Sequence, residues 1–144
     1  MNDDQTTWGD PRQWARMQVE KILETGTTEG IDANGLPIVL LTLRGAKSGR
    51  VRHTPVMRVE HYGRYAVVAS KSGAASHPDW YHNIKAHPEI KLQDGTETRT
   101  FIAREVQGSE RAEWWQRAVD TFPQYASYQA HTDRAIPVLV LERK

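Results

Sequence analysis

The side chains able to do chemistry in this 144-residue chain crowd into two short segments, Arg44-Gly-Ala-Lys-Ser-Gly-Arg-Val-Arg-His-Thr-Pro55 and Ala69-Ser-Lys-Ser-Gly-Ala-Ala-Ser-His-Pro-Asp-Trp-Tyr-His-Asn83. Arg44, Lys47, Arg50, Arg52 and Arg58 occur with no Asp or Glu among them, and the next acid is Glu60. In a chain of net charge +1 this is a local excess of positive charge. Glycines in the first segment let backbone amides approach an anion, Ser48 supplies a hydroxyl donor, and Lys47 and Arg52 supply charge. The segment is not a P-loop, which needs glycine directly before the lysine and another five residues before that; Ala46 and Leu41 stand there. In the second segment Ser70-Lys-Ser-Gly73 follows an apparent strand and precedes Pro78 at a helix start, so loop and helix N-terminus can present donors to phosphate. Either segment alone reads as a solvated turn, whereas two in one small domain read as the walls of an anion-binding cleft. Trp80, Tyr81, His82 and Asn83 add flat surfaces and donors, suited to a heterocyclic ring or to the packed end of a barrel.

Other chemistries lack their residues. With no cysteine, disulfides, thiolate catalysis and Cys-based metal centres are excluded, and the chain suits a reducing cytoplasm. The six histidines include no HExxH pair, and His77, His82 and His87 recur every five residues, off a common helical face, so no metal site is expected. Ser70 has no His and Asp partners at a recognisable nucleophile-elbow spacing. At 38% hydrophobic and 26% charged residues the composition is that of an ordinary globular domain. Its positive charge is confined to one stretch, which fits a small anionic ligand better than nucleic acid. No apolar run approaches the roughly 20 residues that span a bilayer, and the N-terminus lacks the basic and apolar regions of a signal peptide.

The elements that must position these segments follow from punctuation and periodicity. Asp10 as cap, Pro11 at the first helical position and Gly26 as stop predict a helix over 11–25 with a buried stripe of Trp14, Met17, Ile22 and Leu23. Trp8 and Trp14 raise weak peripheral membrane association, which the mixed acidic and basic residues disfavour. Leu36 to Leu43 reads as a buried strand, and Val51 to His61 with Tyr65 to Ala69 as a hairpin around Tyr62-Gly63-Arg64. Asp94-Gly95 predicts a type I′ turn joining Glu89–Gln93 to Thr96–Val106, and Ile136–Leu141 a last apolar strand with Pro137 near its start. Short helices are expected from Pro78 to before Pro88 and over Glu110–Thr121, the latter capped by Ser109 with Ala112, Trp115 and Val119 on one side. About six strands with peripheral helices predict an α+β, mainly antiparallel barrel forming a single domain over 1–144, with 1–35 a helical extension and 36–144 the core.

Several blocks in one order resemble the deazaflavin-dependent nitroreductase family: Leu41 to Pro55, Ala69 to Gly73, His77 to Pro88, Tyr125-Ala-Ser-Tyr-Gln129 and Thr132-Asp-Arg-Ala-Ile-Pro137. The resemblance covers nearly everything from Leu36 to Leu141. It implies a split β-barrel of the flavin-reductase and pyridoxamine-phosphate-oxidase type and coenzyme F420, an 8-hydroxy-5-deazaflavin with a phospholactyl-oligoglutamate tail. FMN, which lacks that acidic tail, is the poorer match to the extra cations. By the same resemblance Lys47, Ser48, Arg52 and Lys71 hold the phosphate and tail, and His53 belongs to the same cofactor-binding set. Thr54, Pro55, Val56, Met57, Val68, Ala69 and Ser70 line the ring, and Asp79, Trp80, Tyr81, His82 and Asn83 cover its other side. Asp79 departs from the apolar residue often found at its position. Met57 stands where some members carry Tyr, and Phe122 takes the first place of a Tyr-Pro-x-Tyr-x-x-Tyr pattern that keeps Tyr125 and Tyr128, which disfavours reduction of bulky nitro prodrugs.

The implied function is an oxidoreductase in which reduced F420 transfers hydride to an electron-poor small molecule, an enone, quinone or nitro compound. Ser70, Tyr125 and Tyr128 are the candidate groups that position the acceptor and stabilise its developing charge. The alternative is a non-catalytic carrier or sequestration module for F420, a flavin or a lipid. The expected partners are a small-molecule electron acceptor and a second copy in a homodimer, with no nucleic acid. The expected location is cytoplasmic, with the inner face of the membrane as a peripheral option.

Overall fold

Proline in its first turn opens helix α1, Pro11–Thr25, and Gly26 closes it, its φ of +79° incompatible with further helix and its N–H returned to Ile22 O at 2.8 Å. The structure, a computed structural model, describes residues 11–33 and 35–144; Trp8 and the Asp10 cap lie outside them. The buried stripe of α1 differs from the expected one. Ile22 is fully buried against Ile38 and Leu40, with Val19 packed alongside, while Met17 and Leu23 stay 47% and 58% exposed. Spacing from Trp14 by fours passes through Gln18 to Ile22, and that face, not the one through Met17, meets the sheet.

Eight strands follow, all paired antiparallel: β1 Asp32–Ala33, β2 Leu36–Arg44, β3 Val51–Met57, β4 Val59–His61, β5 Arg64–Val68, β6 Glu89–Asp94, β7 Glu97–Glu105 and β8 Val138–Arg143. The order is β1-β2-β6-β7-β8-β5-β4, with β3 on β2. The segment 51–61, expected as one strand, is broken at Arg58, so that β3 pairs with β2 while β4 pairs with β5 at the opposite end of the order. The curled sheet is thus open between two strands joined by a single residue, which makes it a split barrel.

Turn chemistry sets the registers. His61 pairs with Arg64 around Tyr62 (φ +51°) and Gly63 (φ +80°), the two left-handed residues of a type I′ turn. The turn expected at Asp94-Gly95 sits one residue later. Asp94 pairs with Glu97, and Gly95 (φ +64°) is the first central residue, the pattern of a type II′ turn. Asp94 is kept in the strand because its Oδ2 accepts from Tyr65 Oη at 2.6 Å and from Arg58 Nε at 2.8 Å.

Strands β2 and β8 are buried on both faces, which is why they read as continuous apolar runs. Val39, Leu41, Leu43, Leu139 and Leu141 fill the barrel with Ile90, Leu92 and Phe101. Val138 and Val140 face the other way, onto Trp114 and Ala118 of helix α3 (Gly108–Thr121) and onto Phe122 and Tyr125. Ala112 of α3 is exposed, and Ser109 lies within its first turn instead of capping it. Two short helices complete the frame: α2, Asp79–Ala86, and α4, Gln124–Ala130.

Candidate functional site

The first basic segment is the β2–β3 hairpin loop. Gly45 donates to Arg50 O at 2.8 Å, Gly49 to Gly45 O at 2.9 Å, and Arg50 N to Ser48 Oγ at 3.1 Å, so the loop holds itself. A methyl group placed on Gly45 would sit 2.7 Å from Ser48 Oγ and 3.1 Å from Arg52 Nε. Ser48 and Arg52 therefore converge over a bare backbone, a concavity that any larger residue at 45 would fill. Lys47, Ser48, Arg52 and His53 are exposed, and no carboxylate pairs with Lys47 or Arg52 among the described residues. His53 turns to the other face of the strand, its Nδ1 3.1 Å from Thr42 Oγ1.

The second segment leaves β5 at Val68 and turns sharply. Lys71, Ser72 and Gly73 have φ of +45°, +54° and +81°, three left-handed residues in succession, two of them not glycine. Such conformations cost roughly 1–3 kcal/mol each for a residue with a Cβ and persist only where the surroundings impose them. Here Arg134 does so, its guanidinium donating to Ala69 O, Ser70 O and Ala74 O at 3.1, 2.7 and 2.8 Å. Gly73 is needed for space as well as φ, because a Cβ there would lie 2.9 Å from Tyr128 O. Ser70 is buried, and Lys71 Nζ lies 3.3 Å from Ser76 Oγ.

Helix α2 ties the two segments together. Asn83 Oδ1 accepts from Ala46 N at 2.9 Å on the first, and Trp80 lines the cavity beside Ser70 and Lys71 of the second. Of the five residues expected over the ring, Trp80 alone lines that cavity. Asp79 and His82 are exposed, and Tyr81 gives its hydroxyl to Glu105 at 2.6 Å. Burial first, and Glu105 second, push the Tyr81 phenol up to about 12.

The cavity, about 980 Å³, lies between β3 and the end of β5. Of the expected site residues, Pro55, Val56, Met57, Val68, Ser70, Lys71, Tyr125 and Tyr128 line it; Thr54, Ala69 and the first loop's cations do not. Its apolar walls also include Phe122 and, beyond the residues expected from sequence, Trp14 of α1, Leu36 and Ile38. Trp14 belongs by its spacing to the packing stripe of α1, which carries no further signal, whereas Phe122 stands at the first place of the tyrosine pattern that keeps Tyr125 and Tyr128. Tyr125, 5% exposed, finds no hydrogen-bond partner for its hydroxyl among the described residues. Burial, and Tyr128 beside it, raise its phenol above the ordinary value, so the hydroxyl remains a donor at neutral pH. Tyr128 Oη donates to Gln124 Oε1 at 3.2 Å.

An apolar slot with two buried hydroxyls, those of Tyr125 and Ser70, that have no hydrogen-bond partner among the described residues suits a flat ring and a polarisable acceptor, and the concavity at Gly45 with exposed Lys47, Arg52 and Lys71 suits an anionic tail. The residues present therefore fit a deazaflavin with an acidic tail. A smaller hollow of about 620 Å³ near Thr28 and Gly95 holds Arg58 and Asp94, already bonded to each other. No helix of the described residues is long and apolar enough to cross a membrane, and no cluster of three or more metal-ligating side chains occurs among them.

The F420H(2)-dependent quinone reductase of Mycobacterium tuberculosis (strain ATCC 25618 / H37Rv) is 36% identical over 111 residues, 75% of this chain and 74% of that protein. Two solved structures are each 51% identical. An F420-H2 dependent reductase superposes with a TM-score of 0.71, over 78% of this chain and 100% of the other. A domain-swapped dimer gives 0.73, over 92% and 100%. At 8% identity, a candidate pyridoxamine 5′-phosphate oxidase of Listeria innocua shares the fold alone, with a TM-score of 0.54 over 89% of this chain and 92% of that one. The split-barrel fold expected from sequence is the one these proteins share. Residues 14–143 match the sequence profile described as F420H(2)-dependent quinone reductase, and the chain belongs to that family, whose cofactor is coenzyme F420.

Proposed function

We propose that this chain binds F420H2 and reduces a quinone, with the buried hydroxyl of Tyr125, unpartnered among the described residues, at the wall of an apolar cavity as the observation that carries the reading. The coenzyme, when bound, supplies a hydride from C5 to the acceptor. Lys47, Ser48, Arg52 and Lys71 hold its phosphate and acidic tail, and Pro55, Val56, Met57, Val68, Ser70 and Trp80 flank its ring. Tyr125 then faces the acceptor carbonyl as a donor in a water-poor site, where a hydrogen bond to developing oxyanion charge is worth far more than in solution. Ser70 and Tyr128 are the further donors that orient the acceptor. A proton from solvent completes the quinol. The family description and the relatives' names support a quinone as acceptor; enones and nitro compounds are the alternatives an acceptor panel separates. A homodimer is part of the proposal, supported by the domain-swapped dimer among the solved relatives.

The test is a fluorescence titration with F420, followed by F420H2 oxidation in the presence of menadione, cyclohexenone and a nitroaromatic. Wild type is expected to bind and to turn over menadione fastest. Arg52→Ala together with Lys71→Ala should weaken binding by about a hundredfold, two charge-assisted contacts at about tenfold each. Tight residual binding refutes the tail site, and binding without oxidation of any acceptor identifies a carrier.

A further inference from the structure

We propose that Arg134 is a positioning residue whose guanidinium latches the Ser70–Ala74 turn onto α4, and that the latch is engaged only while His77 Nδ1 is unprotonated. Besides the three carbonyls of Ala69, Ser70 and Ala74, Arg134 Nη1 lies 2.9 Å from His77 Nδ1. A guanidinium has donors only, so that nitrogen must offer its lone pair. No carboxylate pairs with Arg134 among the described residues; its charge is given entirely to neutral acceptors of one turn. Arg134 is itself held by α4, since Gln129 Nε2 donates to Arg134 O at 2.8 Å and Gln129 Oε1 accepts from Ile136 N at 3.0 Å. The same helix carries Tyr125 and Tyr128, and Gly73 packs against Tyr128 O. One side chain thus fixes the left-handed turn on the cofactor side to the helix on the acceptor side.

Protonation of His77 would set an imidazolium against the guanidinium. The groups facing His77 are Arg134, Tyr81 and His82 of α2, and Glu105 of β7. Burial, then Arg134 and His82, lower the His77 pKa below its ordinary value, and Glu105 opposes them. The neutral form therefore prevails at neutral pH, and acid opens the latch. A lysine at 134 cannot replace the fork, because one ammonium cannot reach four acceptors spread over residues 69–77.

The inference rests on the F420 reading for its binding arm only. Hydrogen exchange on the protein without coenzyme compares wild type, Arg134→Lys, Arg134→Ala and His77→Gln, where glutamine keeps an acceptor that does not titrate. Arg134→Lys should raise exchange at residues 69–77 and weaken F420 binding by about tenfold, one lost charge-assisted contact. Guanidinium ion added to Arg134→Ala should restore part of both. Between about pH 7.5 and about pH 5, wild type should lose affinity and protection at 69–77, whereas His77→Gln should lose only what titration of the coenzyme itself removes. Wild-type protection of 69–77 in Arg134→Lys, or a pH response of His77→Gln identical to wild type, overturns the latch. Should wild type bind no F420, the functional reading falls and hydrogen exchange still decides the latch. Should the Arg134 variants unfold, the paired pH profiles of wild type and His77→Gln decide it.

Discussion

Replacing Tyr125 by phenylalanine removes one oxygen and should move stability and activity in opposite directions. The ring keeps its packing, with Phe122 and Tyr128 at centroid distances of 5.0 and 6.3 Å and Trp115 at 6.4 Å. The hydroxyl is buried without a partner among the described residues, and leaving such a group unsatisfied costs about 1–3 kcal/mol. Tyr125→Phe should therefore stabilise the protein by about 1–2 kcal/mol, which for a domain of this size raises Tm by about 3–8 °C. The same oxygen, donating to a developing oxyanion, accounts for about a hundredfold in kcat. Differential scanning calorimetry without coenzyme reads the first effect, and stopped-flow oxidation of F420H2 by menadione at saturating acceptor reads the second. A lowered Tm would mean that the hydroxyl has a partner in the resting protein. An unchanged kcat would mean that it does not touch the reacting oxygen, and either result refutes the reasoning.

Gly45→Ala should leave Tm nearly unchanged, because Gly45 is not in a left-handed conformation, yet it should weaken F420 binding by about tenfold by pushing Ser48 Oγ and Arg52 Nε apart; fluorescence titration checks it, and wild-type affinity refutes the concavity. Glu105 accepts from Tyr81 Oη at 2.6 Å and from Lys85 Nζ at 3.1 Å. Burial alone would raise its carboxyl, but these partners hold it below the ordinary value of about 4.5, so its contribution is complete above that pH and is lost as pH falls below it toward the lowered value. Urea denaturation should accordingly show Glu105→Gln destabilised by about 1 kcal/mol at neutral pH, with the gap to wild type closing in strong acid.

Local punctuation was legible in the sequence wherever one residue decides the conformation. Pro11 and Gly26 bound α1, Tyr62-Gly63 turns the first hairpin, and the two-sided burial of β2 and β8 follows from their apolar runs. What remained hidden was decided by contacts distant in sequence. The Asp94 turn slips by one residue because Arg58 and Tyr65, about 30 residues earlier, claim its carboxylate. The face of α1 is chosen by Ile38 and Leu40, which no periodicity within the helix can announce. In the site, the cavity-lining stretch Pro55–Met57 followed from the family resemblance, whose first block ends at Pro55. Arg134 lay in such a block, but its role depends on carbonyls some 60 residues away. Tyr81 illustrates the converse, since its position in a cofactor motif gave no sign that Glu105 would draw its hydroxyl away.

The central place of β8 bears on how the molecule is made. Val138–Arg143 lies between β5 and β7 and pairs with both, and its residues 138–141 are all fully buried. A nascent chain that has exposed everything up to residue 137 holds two sheet fragments with facing edges unpaired and with Val67, Val68 and Ala103 uncovered. Such edges invite pairing with other chains, and neither core can close until the last strand inserts between them. Assembly of this barrel therefore follows translation of its final strand, and the interval before it is when the chain most needs protection from its neighbours.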